Sequence, residues 1–332
     1  MIISRTPFRI SFFGGGTDYP AWYNDHPGAV LATTIDKYCY ITARYLPPFF
    51  EHRSRIIYSR MEHVHGIDEI DHPAVRETLR FLDMHKGIEI HHDGDLPART
   101  GLGSSSAFTV GLLNALYALR GAMTAKDQLA REAIHIEQAM IKENVGSQDQ
   151  ILAAYGGFHH IEFAGAGEPS VTKVTLSMES LALLQEHMML FFTGISRTAS
   201  EIAAQQIMNI PHRQKELSAM YAMVTEALRC LKADDFMGFG RLLDESWQIK
   251  RTLSNKITTP GVDDIYSKAL KAGALGGKLL GAGGGGFVLV FAEPDRKPAV
   301  RQALAGLLEI PFKFETLGSQ IIFYQPDSGV VG

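Results

Sequence analysis

The chain has 332 residues, 45% hydrophobic and 20% charged, with a net charge of −4. That is the make-up of a globular protein of about two domains with a substantial core. It leaves no electrostatic footprint for nucleic acid or a membrane surface, and no apolar run approaches the ~20 residues of a membrane helix.

Cys39 and Cys230 are the only cysteines, so no disulfide framework is implied, and the first residues lack the apolar core of a signal peptide. A cytoplasmic location is expected. Residues 2–13 alternate toward a strand and break at Gly14-Gly15-Gly16-Thr17-Asp18, which reads equally as a plain turn or as a binding loop. Three consecutive glycines cost backbone entropy that a turn avoids with one. Strands are expected over 28–46 and 54–60, a helical run from Asp71 to Leu82, and a strand over 87–93. His63, His65, His91 and His92 have no cysteine or carboxylate set to complete a metal site and read as surface or strand histidines.

The stretch Pro97-Ala98-Arg99-Thr100-Gly101-Leu102-Gly103-Ser104-Ser105-Ser106-Ala107 stands between that strand and an apolar helical run. Gly101 and Gly103 let a backbone approach a ligand, and the serines bring hydroxyls and N–H groups to a helix start. A helix N-terminus with unpaired donors is an anion site, and phosphate is the usual anion; the alternative is a serine-capped helix. Thr124 marks a capping-box-like start for a helix over 125–142, whose apolar face is Leu129, Ala133, Ile136 and Met140, with Glu137 beside it. Asp149 precedes a helix over 150–155 ended by Gly156, as its cap or as a functional carboxylate. Strands follow at 158–163 and 171–176.

A boundary is expected near Glu179. Met188 to Phe192 reads as a buried strand ending in Thr193-Gly194 with Arg197 beyond, a substrate-facing turn or a structural one. Helices are expected at 199–208, 213–231, 234–253 and 262–272. In the glycine run from Gly276 to Gly286, Gly281, Gly283 and Gly286 satisfy Gly-x-Gly-x-x-Gly, but with a helix before and a strand after, the reverse of a dinucleotide fold. Lys278 is out of register for a P-loop. Residues 328–332 read as a loose tail.

Pro97 to Ser105 resembles the Pro-x-x-x-Gly-Leu-Gly-Ser-Ser signature of the GHMP kinases (galactokinase, homoserine kinase, mevalonate kinase, phosphomevalonate kinase). Pro7 to Asp18 looks like their first motif and Gly276 to Gly286 like their third, so the resemblance spans nearly the whole chain. It implies an α/β (α+β) fold of two domains: an N-terminal ribosomal-protein-like unit, 1–179, and a C-terminal ferredoxin-like unit, 180–332, with the site between them. It implies ATP and Mg²⁺ as cofactors. Pro97, Gly101, Leu102, Gly103, Ser104, Ser105, Ser106, Gly283 and Gly284 would bind ATP, and Ser105 with Glu137 would hold Mg²⁺, Ser104 being the rival hydroxyl. Asp149 would be the base or an orienting group. Arg9 would stabilise either Asp149 or the transferring phosphoryl. Gly14, Gly15, Gly16, Thr17, Asp18, Thr193, Gly194 and Arg197 would bind the acceptor. Gly-Gly-Gly-Thr-Asp, in place of the galactokinase Gly-Glu-His-Thr-Asp, is similar to the branch that phosphorylates a heptose 7-phosphate at its anomeric hydroxyl, with fucose or galactose 1-kinases and a non-catalytic sensor as alternatives. The partner expected is thus a small sugar phosphate, with no nucleic acid and no membrane; the resemblance allows a homodimer.

Overall fold

The computed structural model describes residues 1–165, 167–195 and 199–326, and every element and absence below refers to those residues. The strands are β1 (Ile2–Phe13), β2 (Gly28–Tyr45), β3 (Ser54–Ile57), β4 (Met61–Val64), β5 (Ile88–Gly94), β6 (Phe158–Phe163), β7 (Ser170–Lys173), β8 (Met188–Phe192), β9 (Gly276–Leu279), β10 (Phe287–Phe291), β11 (Leu308–Glu309), β12 (Phe314–Glu315) and β13 (Gln320–Tyr324). The helices are α1 (Pro20–Tyr23), α2 (Pro73–Phe81), α3 (Ser104–Leu119), α4 (Lys126–His135), α5 (Gln148–Tyr155), α6 (Met178–Glu186), α7 (Ala199–Asn209), α8 (Gln214–Lys232), α9 (Phe236–Thr252), α10 (Pro260–Lys271) and α11 (Lys297–Ala303).

One sheet is built around β1 and the 18-residue β2, which pair along nearly their whole length. The far half of β2 pairs β5, its near half β6, and β12 pairs it between them, so one long strand carries three neighbours on the same edge. Helix α3 packs across β1 and β2 and is apolar almost all round, as a helix buried on every side must be. The second sheet has the order β11-β8-β10-β9, all antiparallel. Its chain sequence, strand, helices, two strands, helix, strand, with the fourth strand beside the first and the third between the first and second, is the ferredoxin-like arrangement. All four strands lie beyond residue 179. The last two strands return to the first sheet: β12 pairs β2 and β13 pairs β1, while the boundary expected at 179/180 falls inside α6.

Two local expectations are corrected. The helix expected over 125–142 is α-helical only to His135 and then widens into a π-helical turn, Ile136–Met140. Its N-cap is Ala125, with no side-chain cap; the Thr124 hydroxyl is buried and unpartnered. The residues before the last glycine loop form β9 rather than a helix, so that loop joins two strands. The expected tail, 328–332, lies outside the described residues. No helix among them is long and apolar enough to cross a membrane.

Candidate active site

Alternation along β1 sets the first wall. Phe8, Ile10 and Phe12 enter the core, while Arg9 and Ser11 share the opposite face and line a cavity of about 360 Å³. The cavity lies between the start of α3, the first turn of α5, the turn at Gly15-Gly16-Asp18, and residues of α7, α9 and β9.

Asp149 does not cap a helix. It stands inside the first turn of α5, after Ser147, and its carboxylate meets Arg9 at two points: Nε donates to Oδ1 and Nη2 to Oδ2, both at 2.7 Å. Nη1 donates to Gly101 O at 2.6 Å, and the Arg9 amide donates to Leu102 O at 2.9 Å. The guanidinium therefore holds one carboxylate and the serine loop in fixed relation. Leu102 itself is buried, and Pro97 is a loop support whose carbonyl accepts from the Thr100 hydroxyl.

Asp18 forms the opposite side. It is 3% exposed, accepting from the Gly16 amide at 2.9 Å and from Gln148 Nε2 at 2.8 Å. Burial pushes its carboxyl above the usual range, the two hydrogen bonds oppose that, and the charge of Asp149 adds to it. Gly15 and Gly16 line the cavity beside it. Gly14 and Thr17 do not: the Thr17 hydroxyl donates to Gly14 O and Ala29 O, closing the turn from inside.

The serine loop ends at Gly103, whose φ of +75° makes it the residue before α3 without any side-chain cap. The three serines thus occupy the helix's first turn, where backbone N–H groups have no helical partner, and all three line the cavity. They differ in environment. Ser104 Oγ accepts from the Arg99 amide, Ser105 is exposed, and Ser106 is buried with its hydroxyl donating to Glu137 Oε2 at 2.8 Å. The hydroxyl that meets Glu137 is accordingly that of Ser106, not Ser105 or Ser104.

Glu137 sits in the π turn at 0% exposure, its Oε2 also accepting from Gln150 Nε2 at 2.5 Å and the Thr109 hydroxyl standing beside the carboxylate, while its Oε1 has no hydrogen bond of ordinary geometry. The widened turn carries the carboxylate inward, a known use of π turns at functional sites. Burial pushes its carboxyl up to about 7. An orphaned buried carboxylate oxygen beside a serine hydroxyl fits a hard divalent cation. Among the described residues no group of three His, Cys, Asp or Glu stands together as a metal site.

The two glycine loops touch backbone to backbone. A Cβ on Gly101 would fall 2.3 Å from Leu280 O, and one on Gly281 would fall 2.4 Å from Gly101 Cα. Only glycine permits this approach. Gly281 and Ala282 line the cavity; Gly283 and Gly284 instead pack on Ile257, whose carbonyl accepts from the Gly284 amide. Thr193 is likewise a support, its hydroxyl donating to Gly286 O at 2.9 Å, and Gly194 does not line the cavity. Arg197 lies outside the described residues.

Sequence reasoning missed Lys250 and Lys278, both buried and both lining the cavity. A signal existed for Lys250. It continues the buried face of α9 through Phe239, Leu243, Ser246 and Trp247, and a lysine in that register is rarely tolerated without a task. Beyond Gly16, Tyr19 and Gln206, a small adjoining hollow reaches Arg213.

Residues 72–157 match the family described as GHMP kinases N terminal domain, and residues 219–309 that described as GHMP kinases C terminal. The D-glycero-alpha-D-manno-heptose 7-phosphate kinase of Campylobacter jejuni is 28% identical over 315 residues, covering 91% of this chain and 93% of that protein. The galactokinase of Pyrococcus furiosus is 23% identical, covering 99% of each. A solved D-glycero-D-manno-heptose 1-phosphate kinase from Bacteroides thetaiotaomicron superposes with a TM-score of 0.76 at 24% identity, covering 96% of this chain and 98% of that one, which shows the shared fold. With the serine loop, the Arg9–Asp149 pair and the facing glycine loop gathered on one cavity, the chain belongs to the GHMP kinases and is an ATP-dependent kinase of a sugar or alcohol hydroxyl.

Proposed function

We propose that the chain transfers the γ-phosphoryl group of ATP to the anomeric hydroxyl of D-glycero-D-manno-heptose 7-phosphate, giving the 1,7-bisphosphate used to build nucleotide-activated heptose. One observation carries this reading. The turn beside Asp18 lines the cavity with backbone alone at Gly15 and Gly16, so no side chain of the turn limits the acceptor there. The end-to-end likeness to the Campylobacter heptose 7-phosphate kinase supports it.

In this reading the amides and hydroxyls of Ser104 to Ser106 take the ATP phosphates. Asp149, fixed by Arg9, orients the attacking hydroxyl and receives its proton, and Asp18 accepts from neighbouring sugar hydroxyls. Glu137 with Ser106, and Ser105 at the cavity surface, would hold Mg²⁺, which supplies charge neutralisation at the phosphates. The Gly16 amide donates to Asp18 and is not available to the 7-phosphate. Arg213, on the far wall of the small hollow past Gly16 and Tyr19, is the cation assigned to that phosphate; the hollow, about 10 Å³, would have to widen to admit it.

The test is ADP release with Mg-ATP over heptose 7-phosphate, fucose, galactose, mannose and mevalonate, followed by phosphorus NMR of any product. Turnover with heptose 7-phosphate and a new anomeric phosphate signal is expected. Turnover confined to fucose or galactose would replace the substrate, and silence with ATP still bound would favour a non-catalytic sensor.

A further inference from the structure

Lys250 on α9 is 5% exposed and Lys278 on β9 is 2% exposed, yet both line the cavity. Among the described residues their hydrogen bonds go to backbone carbonyls. Lys250 Nζ donates to Gly281 O at 2.5 Å and more weakly to Leu279 O at 3.5 Å, while Lys278 Nζ donates to Phe12 O at 2.7 Å. Buried ammonium groups held only by carbonyl dipoles are costly, and a bound anion offsets that cost.

The anchor of Lys250 says which anion. Gly281 is the residue whose backbone touches Gly101, so this ammonium hangs at the seam of the two glycine loops. The charged groups facing it are Arg9 from β1, Asp18 from the glycine turn, Asp149 from α5 and Lys278 from β9. It therefore stands between the loop that takes the nucleotide phosphates and the two acids that face the acceptor. Arg9 is already committed at all three guanidinium nitrogens, to Asp149 and Gly101 O.

We propose that Lys250 is a second catalytic cation, pairing directly with the oxygens of the phosphoryl group as it passes from ATP to the acceptor. The acceptor hydroxyl oxygen forms a bond to the γ-phosphorus and its proton passes to the Asp149 carboxylate. The bond from that phosphorus to the bridging oxygen breaks, and its electron pair leaves with ADP. The equatorial oxygens keep their charge throughout, and one or more ammonium N–H groups not used on Gly281 meet them. Burial, and next the charge of Arg9, hold Lys250 below the usual lysine range at about 8, while Asp18 and Asp149 oppose this; an arriving phosphoryl anion favours the protonated form further. The inference rests on the ATP-dependent kinase reading, not on which sugar accepts.

The experiment compares full-length wild type, Lys250→Met and Lys250→Arg. It measures turnover on heptose 7-phosphate, slow Mg-ATP hydrolysis without acceptor, ADP affinity by calorimetry, and thermal midpoint. Lys250→Met should lose about 10²–10³-fold in kcat in both reactions, with acceptor KM and ADP affinity changed by no more than about threefold. Its midpoint should not fall, and Lys250→Arg should regain part of the rate. Wild-type rates in Lys250→Met would overturn the proposal. So would a KM rise confined to the phosphorylated acceptor, or ADP affinity falling in step with kcat. If wild type ignores heptose 7-phosphate, the hydrolysis arm alone decides, so a wrong sugar and a wrong role for Lys250 give different results.

Discussion

Arg9 and Asp149 stand 140 residues apart in sequence and meet in a two-point ion pair with both contacts at 2.7 Å, Arg9 almost wholly buried and Asp149 reaching the cavity. The pair fixes the carboxylate's plane toward the cavity, so charge and orientation at Asp149 can be separated. Asp149→Asn keeps the shape and should lose about 10²–10⁴ in kcat, the usual span for a general base. Its amide can accept from only one of the two Arg9 N–H groups and turns a donor toward the other, so the thermal midpoint should fall, while nucleotide affinity, measured alongside, should stay close to wild type. Near-normal turnover would remove Asp149 from the chemistry.

Gly101→Ala tests the seam between the loops. Its φ is +86° and its Cβ would fall 2.3 Å from Leu280 O, so either the loop or β9's end must move. A loss of about 2–4 kcal/mol is expected from strain and displaced backbone. Urea denaturation reads that loss, and nucleotide titration should show weakened binding in the same variant.

Glu137 predicts a pH dependence. In the metal-free protein its carboxyl is raised from 4.5 to about 7 by burial. The folded chain thus prefers the protonated acid. That contribution is fully present below pH 4.5 and is lost as pH rises through about 7, on the order of 3 kcal/mol. Glu137→Gln should therefore be more stable than wild type at pH 8, with the difference closing toward pH 5. Chemical denaturation of both proteins across that range checks it; a constant difference would mean that Glu137 does not titrate there.

Arg213 tests the direction of the acceptor. It ends the hollow beyond Gly16 and Tyr19 and is paired at the surface with Glu216. Arg213→Ala should raise KM for heptose 7-phosphate about 10–100-fold, the worth of a charge-assisted hydrogen bond, and leave an unphosphorylated sugar unaffected. Equal effects on both acceptors would send the 7-phosphate elsewhere.

What the sequence made legible was local. Helices α7 to α10 fall within two residues of their expected bounds because long runs keep a 3.6-residue period. The three glycine-bearing stretches were readable because short motifs need fixed residue types at fixed spacing. Hidden features depended on distant partners. The π turn at Ile136–Met140 has no compositional mark, so the burial of Glu137 against Ser106 and Gln150 could not be read. Thr193, Gly283 and Gly284 look like ligand-facing residues in a linear motif, yet they brace Gly286 and Ile257. Lys278 reaches the cavity through tertiary packing, its Nζ meeting Phe12 O of β1, whereas Lys250 was readable from the buried face of α9.

The pairing of β13 with β1 joins Ile2 to Tyr324 and Arg5 to Gln320. A polypeptide leaves the ribosome from its amino end, so β1 emerges before β13 and keeps that edge unpaired until the elements between them have been made. During that interval the strand bearing Arg9 offers a row of unsatisfied N–H and C=O groups to any passing strand. Completion of the first sheet therefore waits on β13, and its slow, long-range closure is the step at which a folding chaperone has most to shield.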